Sequence, residues 1–161
     1  MQGANGGASF VMAVIVVGLV VRRQVHTRPV RRGGSLIGLA VLGVLGVGGI
    51  AFGVLSVTAH RSLTVLPVAL LGASLAVAGG FGVARARTVR VWRGAQGEVL
   101  RKGTAATTGL WVASVAVHIG LALWIDHVAG AGVLGTASLY AYLAVGLGAQ
   151  SFLVLGRAAA I

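Results

Sequence analysis

The chain has 161 residues, is 57% hydrophobic and only 9% charged, and carries a formal net charge of +11; its mean hydropathy is +0.98. So little polar surface cannot cover a water-facing globule, and the composition points to a single membrane domain, 1–161, with the bilayer as its solvent. The absence of cysteine excludes disulfides, thiolate metal sites and a thiol relay carried by this chain, and the cations lie between apolar stretches, where they read as topology signals and not as a nucleic-acid surface.

The first apolar stretch, 8–21 (ASFVMAVIVVGLVV), would rise about 21 Å as a helix. That is short of the ~30 Å hydrocarbon core, so it must recruit part of the Gly-rich start or sit where the bilayer thins. A signal peptide carries its positive charge before the apolar run; here Arg22 and Arg23 follow it, which predicts a retained first helix with its N-terminus outside. The connector 22–34 is basic, and its Pro29 biases Arg28 away from helix.

A second span is expected over 35–58, where Gly49 and Gly53 form a GxxxG pair that lets a neighbouring backbone approach. The third, 63–84, has Pro67 in its first turns, where a missing N–H costs least. Along it Gly72, Ala76, Gly80 and Ala84 recur every fourth residue, which predicts a tightly packed face. After a second basic connector, 85–103, come a fourth span over 104–125, a joint at Asp126 and His127, and a fifth span over 130–156. The Gly-rich start of the fifth makes its first turns irregular, and Arg157 closes it.

Counting cations in alternate connectors sets the orientation. Arg22, Arg23, Arg28, Arg31 and Arg32, then Arg85, Arg87, Arg90, Arg93, Arg101 and Lys102, then Arg157 fall on one side, against Arg61 alone on the other. The N-terminus is therefore expected outside and the C-terminus in the cytoplasm.

Within 85–103 the run TVRVW alternates β-branched and aromatic residues, RGAQG supplies turn residues and EVLRK resumes, the pattern of a short β-hairpin. An isolated two-stranded hairpin is marginal in water, so it should lie against the membrane face or another connector. Val89 and Val91 would point one way, and Arg90 and Trp92 the other. Trp92 suits the headgroup level, and Arg85, Arg87, Arg90, Arg93, Arg101 and Lys102 would each gain roughly 1 kcal/mol from anionic lipid. The expected fold is thus an all-α membrane protein: a five-transmembrane-helix bundle with a short cytoplasmic β-hairpin between its third and fourth helices.

The run VRVWRGAQGEVLRKGTAATTGLWVASVAVHIGLALW, residues 89–124, resembles the CcdC-like family of small bacterial integral membrane proteins. There a helix is followed by an Arg, an aromatic, a Gly-containing turn, Arg/Lys-Gly-Thr and a further apolar helix. Arg90, Trp92, Gly97, Lys102, Gly103 and Thr104 stand in those places, and the early basic connector is similar too. The resemblance implies a multi-pass protein of the bacterial cytoplasmic membrane and an association with cytochrome c biogenesis. It implies no established activity.

Ionisable residues inside lipid are costly and draw attention as functional suspects. No carboxylate falls within an expected span, which argues against buried-acid cation export, paired-carboxylate catalysis and Mg²⁺ chemistry on diphosphates. His118 on the fourth span, with His60 and His127 in the two outer connectors, makes a haem or Cu/Zn site geometrically open, though no ligand motif supports it. Asp126 is expected near Arg61 or His127, and His118 near Ser114 or a neighbouring helix. Trp111, His118 and Tyr140 are candidates to line a ligand pocket. There is no catalytic signature such as GxSxG or HExxH.

Three readings stand side by side: a non-enzymatic accessory or scaffold protein packed through Gly49, Gly53, Gly72, Ala76 and Gly80, a small-molecule binder or transporter, and a haem- or metal-binding redox protein. The expected partners are the lipid bilayer, anionic lipid at the cytoplasmic face, and a second copy or another membrane protein. The cofactor, if any, is unknown.

Overall fold

The computed structural model describes residues 26–30, 32–59, 62–129 and 133–161; the expected first span, with His60 and Arg61, lies outside them. The described residues open with β1 (Arg28–Pro29) and α1 (Arg32–Thr58), then α2 (Val65–Thr88). Strands β2 (Arg90–Arg93) and β3 (Val99–Lys102) lead into α3 (Ala105–Ala129), and a single turn, α4 (Leu134–Ala137), precedes α5 (Leu139–Ala159). Among the described residues, four stretches are long and apolar enough to cross a membrane: Leu36–Thr58, Val65–Thr88, Ala105–Ala129 and Leu134–Ala159. Their outward surfaces are apolar, with Ile37, Val44, Phe52, Leu123 and Phe152 among the exposed side chains. A surface of that kind suits lipid and not water.

The helices alternate in direction. α5 packs on both α1 and α2, α2 packs on α3, and α4 sits between α1 and α3. At the end away from the strands, Val57, Leu71, Ile125, Ala129 and Leu134 form one apolar cluster. At the strand end Ala86, Val89 and Val154 form another.

Small residues set the closest approaches. A methyl group added at Gly46 would stand 2.7 Å from the Ala141 backbone, one at Gly53 2.8 Å from Leu134 Cα, and one at Gly49 would strike the Ala137 carbonyl. These three glycines share one face of α1, so the expected Gly49/Gly53 face does meet a neighbour. The row Gly72, Ala76, Gly80 behaves otherwise. All three residues are exposed, and Gly72 and Gly80 have nothing within 4 Å among the described residues. The packed face of α2 is instead Pro67, Leu71, Ser74, Ala78, Gly82, Arg85 and Ala86, offset by two positions and so by more than half a turn.

Helix ends also differ from the expected limits. α2 continues past Ala84 to Thr88, with Arg85 buried against the bundle and not exposed at a helix end, and its last carbonyls find donors. Thr88 Oγ1 donates to Arg85 O at 2.9 Å, and Arg157 Nη1 donates to Ala86 O at 2.6 Å and Val89 O at 3.0 Å. α3 opens on a reciprocal cap in which Thr107 N donates to Thr104 Oγ1 and Thr104 N to Thr107 Oγ1, the arrangement of a capping box with threonine in the usual place of glutamate. It then runs through the expected Asp126–His127 joint to Ala129. The break in the last span falls at Ser138, whose hydroxyl donates to Gly135 O at 2.6 Å.

The strands make a three-stranded antiparallel sheet in the order β1-β3-β2. β2 and β3 pair from Arg90↔Lys102 to Arg93↔Val99, and Gly97, at φ +82°, turns the chain between them with Gly97 N donating to Gly94 O at 3.0 Å. The sheet is therefore not an isolated two-stranded hairpin confined to one connector. The first basic connector adds β1 across β3, Arg28↔Arg101 and Pro29↔Leu100, with Pro29 on an edge strand, where its missing N–H is tolerated.

Candidate functional site: a basic pocket beside the sheet

Where α2, the sheet, α3 and α5 meet, a cavity of about 690 Å³ opens between them. Arg87, Thr88, Val89, Arg90, Val91, Trp92, Lys102, Thr104 and Arg157 line it. Arg90 and Trp92 stand two residues apart on β2 and share a face, while Lys102 stands directly across from Arg90. Arg157 reaches in from α5, its Nη1 spent on the α2 carbonyls; a guanidinium has five N–H donors, so the rest of the fork is left for other acceptors.

The wall behind these cations is hydrogen-bonded to itself. Thr88 and Thr107 hydroxyls lie 2.9 Å apart, Thr104 and Thr107 hydroxyls 3.1 Å apart, and Thr104 Oγ1 donates to Thr88 O at 3.1 Å. This threonine knot ties the end of α2 to the start of α3. No acid lines the cavity: the Glu98 carboxylate folds over Gly94 in the hairpin turn, and Asp126 is at the other end of the bundle.

Of the expected surface residues, Arg87, Arg90, Trp92 and Lys102, all exposed, line this pocket, while Arg93, also exposed, instead donates to Ile161 O at 2.8 Å. Arg101, opposite both Arg28 and Val91, is partly buried; desolvation, and then the charge of Arg28, hold its pKa below the usual arginine value. Arg85 is not a surface residue. It is 3% exposed, its Nε faces Phe81 O at 3.3 Å, and its guanidinium lies against Gly146 of α5.

A second polar group sits between the two apolar clusters. Ser74 Oγ is 3.5 Å from His118 Nδ1, the His118 and Tyr142 ring centroids are 4.3 Å apart, and Tyr142 donates to Ser114 O at 2.8 Å with Ser114 Oγ 2.9 Å away. These side chains are buried, and they satisfy one another. The expected trio Trp111, His118 and Tyr140 does not assemble: Trp111 is only partly buried and Tyr140 is 46% exposed. Tyr142, two residues on and so on the opposite side of α5, takes the inner place.

His118 and His127 are nine residues apart on α3, a rise of about 13.5 Å, too far for one ion; His60 lies outside the described residues. Asp126 is not directed to His127. It accepts hydrogen bonds from Gly135 N at 2.6 Å, Thr136 N at 3.1 Å and the Thr136 hydroxyl, capping the turn that starts the last span.

No protein-family model, curated protein or solved structure matches the chain.

Proposed function

We propose that this is a multi-pass protein of the bacterial cytoplasmic membrane with five spans, 8–21 included, its N-terminus outside and its C-terminus in the cytoplasm. It acts as a non-enzymatic accessory or scaffold protein whose basic cytoplasmic end engages the anionic headgroups of the bilayer. The carrying observation is the segregation of charge. Every described lysine and arginine belongs to the strand end of the bundle, from Arg28 in β1 to Arg157 at the close of α5, while Asp126 and His127 mark the other end. That asymmetry fits the positive-inside rule, and the anionic cytoplasmic leaflet attracts such a surface.

The buried polar groups agree with a structural role, since Ser74, Ser114, His118 and Tyr142 are turned to one another as interhelical contacts in bundles are. The likeness of 89–124 to the CcdC-like family agrees with the same membrane class. The test is a pair of reporters fused after Ile161, one active only in the cytoplasm and one only outside. Activity of the cytoplasmic reporter alone is expected; activity of the outer reporter alone would overturn the orientation and with it the assignment of the basic end to the cytoplasmic leaflet.

A further inference from the structure

We propose that the basic pocket is a discrete site for one phosphate-bearing anion, held by Arg87, Arg90, Lys102 and Arg157 with Trp92 at its rim. This rests on the reading that the basic end engages anionic headgroups and narrows it from a charged surface to one cavity.

Three observations carry it. First, four exposed cations from α2, β2, β3 and α5 line one open pocket with no acid in its lining, and its size of about 690 Å³ falls in the ordinary range for small-ligand sites. Second, the sheet is paired against its own electrostatics. Arg90 faces Lys102 and Arg28 faces Arg101, and like charges directly opposite one another destabilise a sheet. An anion between Arg90 and Lys102 removes that repulsion within the pocket, whereas the Arg28–Arg101 pair, outside it, has no such relief.

Third, the backbone beside the cavity does not oppose an oxyanion. The carbonyls at the end of α2 would repel one, but Arg157 covers those of Ala86 and Val89, and the Thr104 hydroxyl covers that of Thr88. Planar guanidinium forks match phosphate oxygens in pairs, which makes arginine-rich walls selective for phosphate over a halide of equal charge.

The shared chemistry is a phosphate monoester or diester, and its source is either a phospholipid headgroup or a free phosphate compound. Trp92 is the reporter, with Trp111 and Trp124 replaced by Phe. Protein in phosphatidylcholine nanodiscs is titrated with increasing phosphatidylglycerol, and protein in neutral detergent with inorganic phosphate. A saturable change in Trp92 emission is expected, weakened about tenfold (~1.4 kcal/mol) by Arg90→Gln together with Lys102→Gln. Arg28→Gln with Arg93→Gln, which removes equal charge outside the pocket, should leave it unchanged. Retained helical circular dichroism and elution volume show that each variant is folded.

Saturation by phosphatidylglycerol alone assigns the lipid source, and saturation by phosphate in detergent assigns the free one. If the two double variants weaken binding equally, the discrete pocket is overturned while the anionic-surface reading stands. If Trp92 responds to neither titrant, the pocket is overturned; if phosphatidylglycerol also fails to stabilise the protein against heat, the surface reading falls with it.

Discussion

The imidazole of His118 lies 4.3 Å from the ring of Tyr142, tilted by 33°, and this contact joins α3 to α5 in the middle of the bundle. On one side His118 meets Ser74 of α2, and on the other Tyr142 meets Ser114 of α3. Three helices are thus keyed together by polar groups where apolar side chains alone would let them slide. In lipid the driving force for helix association is packing and hydrogen bonding, since a leucine gains little by leaving acyl chains for another helix. A buried tyrosine with two oxygen neighbours is therefore a register device.

Tyr142→Phe should lower stability by about 1 kcal/mol, because it removes the hydroxyl that joins α5 to Ser114 of α3 and leaves the buried Ser114 hydroxyl without that partner. Tyr140→Phe, on the exposed side of α5, should change stability by less than about 0.5 kcal/mol. Reversible unfolding in mixed micelles measures both. Equal effects would show that the Ser114–Tyr142 bond does not hold the helices.

Arg101→Gln should stabilise the sheet by about 0.5 kcal/mol, the size of a cross-strand like-charge penalty. Arg101 is partly buried, faces Arg28 across β3 and β1, and its lowered pKa reflects desolvation first and that neighbouring charge second. Amide exchange at Val30, whose N–H donates to Val99 O at 2.9 Å, reports the β1 pairing. Slower exchange in the variant is the expected result; faster exchange would mean that Arg101 supports the sheet.

The four apolar spans among the described residues and the alternating TVRVW run were legible because length and periodicity are carried by many residues at once. What was not legible turned on two-residue offsets. On α2 the row Gly72, Ala76, Gly80 and the row Ser74, Ala78, Gly82 have the same spacing on nearly opposite faces, and the serine disguised the one that packs. On α5 the choice between Tyr140 and Tyr142 is the same problem. Arg85 read as the end of a span because charge normally leaves lipid; burial against Gly146 requires knowing that a glycine from another helix makes room. Strand β1, two residues long, has no periodicity to read, and Arg157 looked like a topology mark when it also caps α2.

Gly82→Ala and Gly80→Ala separate those two faces. At Gly82 the added methyl would meet the Gly146 carbonyl and stand 2.9 Å from Ala149 Cβ, backbone and short side chain that cannot swing away, so a loss of about 1–3 kcal/mol is expected. At Gly80 nothing lies within 4 Å among the described residues, and alanine should be neutral or more stable by up to about 1 kcal/mol through helix propensity. Unfolding of the two variants under one set of conditions decides it. A larger loss at Gly80 would make the outward row a contact face after all.

Asp126→Ala should loosen the start of the last span without disturbing the strand end. The carboxylate accepts from Gly135 N, Thr136 N and the Thr136 hydroxyl, and an N-terminal cap of this kind contributes about 1–2 kcal/mol. Asp126→Asn keeps one carbonyl acceptor and should lose roughly half as much. Hydrogen exchange should rise at Gly135 and Thr136 while Trp92, at the opposite end, keeps its emission. If Asp126→Ala leaves exchange at Gly135 and Thr136 unchanged, the carboxylate is not what holds the turn. In that case Ser138, whose hydroxyl and amide both reach Gly135 O, would be the residue that sets the break between α4 and α5.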